Sequence, residues 1–265
     1  MKNKKIVSML VAIGIVLTGF QSPNIMAAQT TTHVIDGSRA QIGLSFEQSS
    51  KQLFKGTEYS VKYIDNIYGT EQIVQISAGD SNEFSVIYNV SGGGKLSSAF
   101  SDGSLLIYDN NEQLVGAVDS IRIEDFWGRE VKAKVSASDT KATYTLNYND
   151  VTFPLTARIQ VYGVDDFNQW FKSGSWGIND GRVSLMLVPT SGWHGLGSST
   201  GVVTWSWNTV KNKFSNDYRW TNEQGLSEQF QCHVLGASYK ASWNLEPSRP
   251  CVGIVETIRK ECNPE

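Results

Sequence analysis

Hydrophobic residues recur at every second position through much of residues 58–163. They include Tyr59, Val61 and Tyr63, and then Phe84, Val86, Tyr88 and Val90. Turn-forming residues interrupt this pattern at intervals of about eight to twelve residues. Alternation of this kind is typical of antiparallel sheets that bury one face and expose the other. The pattern predicts an antiparallel β-sandwich or open barrel.

Two hairpins are predicted within this region. Residues 104–108 and 114–118 are strand-like and flank the sequence DNNEQ. Further along, Val131, Ala133 and Val135 are expected to face Tyr144, Leu146 and Tyr148 across the sequence SASDTKA. Both segments combine alternating hydrophobic residues with polar turn residues, as hairpins do.

The pattern changes near residue 165, because seven of the eight tryptophans lie at or after Trp170. Asn179-Asp180-Gly181 predicts a hairpin turn. Helical spacing then replaces alternation, with Val203, Trp207, Val210 and Phe214 on one face. Further helices are predicted over 223–235 and 252–262, the first ended by Gly236. The whole chain is therefore predicted to be α+β, with a β-rich domain at 58–163 and a tryptophan-rich α+β domain at 166–265.

The N-terminal residues 1–28 have the features of an export signal. Three lysines precede an apolar run over 6–20, and small residues follow it. An apolar run of about 15 residues is short for a membrane span, which needs about 20. We expect cleavage that leaves Ala28 or Gln29 at the mature N-terminus, a secreted protein and no membrane span after cleavage. Residues 29–57 are interpreted as a polar leader that enters a first strand or short helix.

Charge narrows the classes of partner. The formal net charge of the chain is −3, and removing the three lysines of residues 1–28, which contain no acidic residue, makes it −6. An acidic chain without a basic stripe is a poor ligand for nucleic acid. We therefore expect no nucleic-acid partner.

All three cysteines, Cys232, Cys251 and Cys262, lie near the end of the chain. In an exported protein such cysteines are expected to form disulfides. If 251–262 were one helix, Cys251 and Cys262 would lie about 16 Å apart, too far to bond. Cys232 then pairs with one of them. Geometry slightly favours Cys232–Cys262, because that bond would hold the chain end.

Residues 166–264 resemble the C-terminal domain of secreted Gram-positive proteins known as domain of unknown function 2599. The resemblance rests on GRVSLMLVPT (181–190), EQFQCHV (228–234), SWNLEPSRPCVG (242–253) and ECNP (261–264). It implies that Cys232 and Cys262 are the usual cysteines of the family. Aspartate is usual at the position of Cys251, so the resemblance makes Cys251 the odd thiol. It implies no activity.

Candidate catalytic chemistry is sparse. The histidines are His33, His194 and His233, and none has the spacing of a zinc site. GLGSSTG (195–201) lacks the nucleophile-elbow pattern. We predict no catalytic residues, no metal and no cofactor. A secreted hydrolase or toxin-like effector that uses His194 or His233 remains the alternative.

Tryptophans suggest a binding surface instead. Trp193, Trp205, Trp220 and Trp243 are read either as a buried core or as a stacking platform for a glycan. Glu246 and Arg249 lie in the proline-framed sequence EPSRP, either as a structural ion pair or as a recognition surface. We predict Trp193, Trp243, Glu246 and Arg249 as ligand-binding residues. The predicted function is a secreted, non-catalytic interaction protein whose C-terminal domain binds an unknown cell-envelope or host-surface ligand, a glycan or a protein.

Overall fold

The structure is a computed structural model that describes residues 32–48, 59–77, 82–194 and 199–265. Its β-rich part contains these strands: β1 Thr32–Asp36, β2 Gln41–Gln48, β3 Tyr59–Asn66, β4 Gly69–Ile76, β5 Glu83–Val90, β6 Gly94–Leu96, β7 Leu105–Asp109, β8 Leu114–Val118, β9 Arg122–Glu124, β10 Ala133–Ser138, β11 Lys141–Leu146 and β12 Leu155–Tyr162. The predicted export signal lies outside the described residues.

Two antiparallel sheets form a sandwich. One sheet has the order β1-β2-β5-β11-β10, and the other has the order β3-β4-β12-β8-β7-β6, with β9 beside β12. Both predicted hairpins are present as β7–β8 and β10–β11, and Val135 lies opposite Tyr144. The hydrophobic positions of both sheets share one buried core, which includes Leu44, Phe84, Tyr144, Val74, Ile107 and Ile159. The alternation in the sequence arises from this one-sided burial.

The segment interpreted as a polar leader forms part of the sandwich, with two strands where a single first strand or short helix was expected. Within the described part of it, β1 and β2 belong to the first sheet of the sandwich. Ile42 and Leu44 are completely buried, and Phe46 is nearly so. Only three large apolar residues alternate along β2, among serine, glycine and glutamine. The overall polarity of the segment therefore did not indicate that β2 lies in the interior of a sheet. β2 pairs with β5 from Ile42 to Gln48.

The C-terminal part is α+β, as predicted. Its elements are α1 Phe167–Trp170, β13 Phe171–Asn179, β14 Arg182–Pro189, a 3-10 helix at Ser191–His194, α2 Thr200–Phe214, α3 Glu223–Gly236, β15 Trp243–Leu245 and α4 Ile254–Arg259. The strands form a separate sheet in the order β13-β14-β15. Asp180 and Gly181 both have positive φ, 47° and 78°, as the two-residue hairpin turn requires. The Asn222 side chain caps α3 by accepting a hydrogen bond from the Gly225 amide at 3.2 Å.

The terminal helix is shorter than predicted. α4 ends at Arg259, and Cys262 lies beyond it with a left-handed φ of 68°. Val255 and Ile258 are 70% and 43% exposed, whereas Thr257 is buried. Helix α4 therefore covers only part of the predicted helix over 252–262, and its buried side is the one that carries Thr257. The predicted pairing is nevertheless confirmed, because Cys232 and Cys262 form a disulfide with their Cα atoms 5.5 Å apart.

A second core joins the C-terminal part to the sandwich. Leu106, Ala117 and Tyr162 of the sandwich pack in the same buried cluster as Trp205 and Val202 of α2. Strand pairing does not continue from β12 into β13. The domain boundary between 163 and 166 stays a prediction, since the second core draws residues from both sides of it.

Candidate functional site

Trp193 and Trp243 lie inside the second core. Trp243 is completely buried and Trp193 is 5% exposed, with their ring centroids 5.1 Å apart. The Trp193 indole donates a hydrogen bond to the Trp170 carbonyl at 2.8 Å. Phe171 and Phe230 contact both rings. Because both rings are enclosed, neither presents a face to a ligand. The glycan-platform interpretation is wrong at these two positions, and the buried-core interpretation holds.

Glu246 and Arg249 form a buried ion pair. Their side chains are 2% and 10% exposed, and the Arg249 Nε donates to the Glu246 carboxylate. A second guanidinium nitrogen of Arg249 donates to the Pro264 carbonyl at 3.2 Å, and the Asn179 side chain donates to Glu246 at 3.3 Å. These contacts tie the loop to the chain end and to the β13–β14 hairpin. They support the structural role rather than the recognition surface.

His233 is buried and lies parallel to Trp243, with an interplanar angle of 4° and centroids 5.5 Å apart. Burial lowers its pKa to about 4, and the positive charge of Lys240 adds to that effect. No carboxylate is found as a hydrogen-bond partner of its ring within the described residues. The geometry gives His233 the role of a neutral core residue. The side chain of His194 lies outside what the structure describes.

His33 has the carboxylate neighbour that His233 lacks. Its Nε2 lies 2.8 Å from the Asp65 carboxylate and 3.1 Å from the Thr70 hydroxyl, and its ring stacks on Tyr63. The Thr70 hydroxyl donates to the same Asp65 oxygen at 2.5 Å. A catalytic triad needs the histidine between the nucleophile and the acid. Here the His33 ring and the Thr70 hydroxyl both contact the same oxygen of Asp65, so the cluster links β1 to β3 and β4 as a structural contact.

Cys251 is exposed and free, as the disulfide leaves it. Its thiol donates to the Glu228 carboxylate at 2.8 Å. Glu228 is 6% exposed and also accepts hydrogen bonds from the amides of Val252 and Gly253 at 3.0 and 2.9 Å. Hydrogen bonding to the negative Glu228 raises the pKa of the thiol, and partial loss of water around the sulfur adds to the effect. An activated cysteine needs the opposite electrostatics.

An exposed aromatic pair was missed in the sequence. Phe126 and Trp127 follow β9 at a tight turn and are 58% and 71% exposed. Their rings meet edge to face, with centroids 4.8 Å apart. The signal in the sequence was two adjacent large aromatics immediately before Gly128, where a turn leaves neither side chain a buried position.

A groove lies on the surface of the C-terminal part. It lies between α2 and α3, has a volume of about 180 Å³ and is lined by Thr204, Trp207, Ser227, Gln231 and Leu235 among others. Leu235 is 51% exposed, and Trp207 stacks on Trp220. In this groove an aromatic ring and polar side chains border open space together.

Neither a metal cluster nor a membrane span is found in the described parts of the chain. Within residues 32–48, 59–77, 82–194 and 199–265, no group of three or more His, Cys, Asp or Glu side chains could hold a metal ion. In the same residues, no helix is long and apolar enough to cross a membrane.

The fold thus combines an antiparallel β-sandwich with a smaller, disulfide-linked α+β unit. Residues 171–265 match the family model described as protein of unknown function (DUF2599), which confirms the resemblance for the C-terminal part. No curated protein and no solved structure matches the chain.

Proposed function

We propose that this is an exported, non-catalytic binding protein of a Gram-positive bacterium that attaches to an uncharged glycan of a cell envelope or host surface. The export signal in the sequence, the disulfide and the resemblance to a family of secreted proteins support its location. The observation that carries the binding role is the exposed pair Phe126 and Trp127, held on a rigid turn.

The turn is rigid because Asp125 organises it. The Asp125 side chain is 1% exposed and accepts hydrogen bonds from the amides of Trp127 and Arg129, both at 2.9 Å, and of Thr152 at 3.2 Å. The Arg129 Nε also donates to it at 2.8 Å. Burial alone would raise the pKa of Asp125, but these hydrogen bonds outweigh it and lower that pKa to about 2. A turn fixed in advance loses little entropy when it binds.

The charges near the turn favour an uncharged ligand. Arg129 is neutralised by Asp125, and Lys132 is neutralised by Glu130 at 2.5 Å. Without a net positive field, the turn has no long-range attraction for an anionic polymer or an anionic lipid surface. The apolar face of a sugar ring matches an exposed indole, and large exposed aromatics commonly dominate binding energy.

The residues first predicted to bind a ligand in the C-terminal domain are buried. For ligand binding by this domain we therefore propose the groove between α2 and α3. Leu235 and Trp207 would then supply the contact. The hydrolase alternative has no supporting geometry at His233, whose ring is neutral, buried and stacked.

The test is co-sedimentation of the full mature protein with insoluble neutral polysaccharides and with cell-wall material. We expect Trp127→Ala to weaken binding about tenfold or more, as truncation of a central aromatic contact does. Tyr239→Ala is the matched control, since Tyr239 is 72% exposed on the C-terminal part. Binding that survives Trp127→Ala but is lost in Leu235→Ala would place the site in the groove instead.

The same samples separate binding from hydrolysis. The supernatant is assayed for soluble sugars released over time by the wild-type protein and by His194→Ala and His233→Ala. We expect no release. Release that either histidine change abolishes in a folded protein would establish the hydrolase.

A further inference from the structure

Two arginines lie directly opposite each other on the solvent face of the second sheet. In the pairing of β9 with β12, Arg122 is the cross-strand partner of Arg158. Their side chains are 60% and 47% exposed. Like charges placed directly opposite on one face of a sheet destabilise it. This arrangement therefore calls for a negative group between or beside the two guanidinium ions.

The neighbouring carboxylates lie too far from these arginines to form short hydrogen bonds with them. Arg158 lies 3.4 Å from both oxygens of Glu71. Arg122 lies 3.8 Å from the nearer Asp119 oxygen, which is beyond hydrogen-bond distance. By contrast, Arg219 donates to Asp217 through two nitrogens at 2.8 and 2.7 Å. The opposed pair thus keeps most of its donors available, whereas Arg219 pairs closely with its carboxylate.

A cleft lies between these groups. It has a volume of about 190 Å³ and is lined by Arg122, Arg158, Asp119, Glu71 and Gln160 among others. Since a water molecule occupies about 30 Å³ in the liquid, the cleft has room for a small polar molecule of several heavy atoms. Asp119 forms a fixed wall: its side chain is 5% exposed and accepts a hydrogen bond from the Ser120 amide at 2.8 Å.

We propose that this cleft binds a free α-amino acid, with the ligand carboxylate on Arg122 and Arg158 and the ligand ammonium group beside Asp119 and Glu71. Arginine binds carboxylates through paired, directional hydrogen bonds. Two positive and two negative side chains give the site no net charge, which suits a zwitterion. The same two carboxylates disfavour a doubly charged phosphate.

The proposal does not depend on glycan binding at the Phe126–Trp127 turn. Its experiment uses the full mature protein and follows the Nε–Hε signals of the arginine side chains by NMR while glycine is added. Acetate, glycine methyl ester and inorganic phosphate are titrated in parallel. We expect glycine to produce saturable shifts at Arg122 and Arg158. Acetate, which lacks the ammonium group, should bind at least about tenfold more weakly, corresponding to loss of one charge-assisted contact.

The variants are Arg122→Gln, Arg158→Gln and Glu71→Gln, and Arg182→Gln is the matched control because it removes an exposed arginine from the separate β13–β14–β15 sheet. The first three should abolish or greatly weaken the response to glycine without lowering the melting temperature, since all three side chains lie on the solvent face. The control should respond as the wild-type protein does. Absence of saturation, equal binding of acetate, tighter binding of phosphate, or a response that survives both arginine changes would each overturn the proposal.

Discussion

Asp102 caps a helix that begins 98 residues later in the chain. Its Oδ2 accepts hydrogen bonds from the amide and the hydroxyl of Thr200, at 2.7 and 2.8 Å, where α2 begins. The residue at the usual capping position, Ser199, makes no capping hydrogen bond with its side chain. The sandwich therefore supplies the cap for a helix of the C-terminal part.

Asp102→Ala is expected to lower the free energy of unfolding by about 1 kcal/mol, the usual cost of losing a cap. Asp102→Asn is the matched control and should retain most of the stability, because asparagine also caps helices well. Denaturant unfolding measures both. Equal stability of the alanine and wild-type proteins would contradict the capping role.

The Asp102 cap also has a pH dependence. Burial would raise the pKa of Asp102, but hydrogen bonds from Ser104 and Thr200 outweigh it and hold the pKa below the ordinary value. A carboxyl group with a lowered folded pKa stabilises the protein above its unfolded pKa and loses that contribution as the pH falls through the folded value. The difference between wild type and Asp102→Asn should therefore shrink in acid.

Gly201, in the first turn of α2, sits against β7. A Cβ at this position would lie 2.9 Å from the Leu105 carbonyl oxygen, a backbone atom that cannot easily move. Gly201→Ala should therefore cost about 1–3 kcal/mol, as overpacking does. Gly236 also lies in a helix, α3, and has nothing within 4 Å of such a Cβ. Gly236→Ala should be neutral or slightly stabilising, and equal costs for the two changes would contradict close packing at the junction.

The Cys232–Cys262 disulfide joins residues 30 apart in the sequence. Cys262→Ser should lower the free energy of unfolding by roughly 3–4 kcal/mol, because the unfolded chain is no longer constrained. Cys251→Ser, which removes only an exposed thiol, should change it by less than about 0.5 kcal/mol. Thermal unfolding under non-reducing conditions compares the three proteins. A larger loss for Cys251→Ser than for Cys262→Ser would contradict the prediction.

His233 should make the fold sensitive to mild acid. Its pKa is about 4 in the folded protein against 6.5 for the ordinary side chain, so the unfolded chain binds the proton more readily between these values. Stability should fall by about 3 kcal/mol as the pH drops from about 6.5 to 4, and this contribution should level off below that window. His233→Phe keeps a ring against Trp243 and should remove the slope. An NMR titration of His233 with a midpoint near 6.5 would refute the argument.

Cys251 should react slowly with alkylating agents for an exposed thiol. Its raised pKa leaves little thiolate at neutral pH, and thiolate is the reactive form. Glu228→Gln removes the negative charge while keeping an acceptor oxygen, so alkylation by iodoacetamide should become several-fold faster. Glu223→Gln removes an exposed carboxylate from the same helix and should leave the rate unchanged. An unchanged rate in Glu228→Gln would show that the carboxylate does not protect the thiol.

The sequence was most informative where burial is one-sided. Alternation located the strands around Phe84 and Tyr144, since the large hydrophobic side chains of β5 and β11 are buried on one face. Periodicity was less informative for α2, where helical spacing indicated one apolar face with Val203 and Val210. In the structure Val202 and Trp205 on other sides are completely buried as well. The helix packs against the sandwich and against its own domain, and periodicity cannot reveal a second contact surface.

The positions of the tryptophans indicated a separate C-terminal domain, but they did not show which tryptophans are exposed. Trp193 and Trp243 are enclosed by aromatic residues that come from distant parts of the chain, among them Phe171 and Phe230. Trp127 stands alone in the sequence and is the exposed one. Likewise, the opposition of Arg122 and Arg158 depends on strand register, which local sequence does not specify between strands 36 residues apart.

The second core limits how this protein can be divided or recombined. A C-terminal unit cut near residue 165 would lose the apolar cover that Leu106, Ala117 and Tyr162 provide. It would also lose the Asp102 cap of α2. Fusion of the unit to another protein therefore requires a partner whose surface supplies an equivalent apolar contact and a carboxylate at the start of α2. Chimeras that include β7, β8 and β12 together with the unit keep these native apolar contacts.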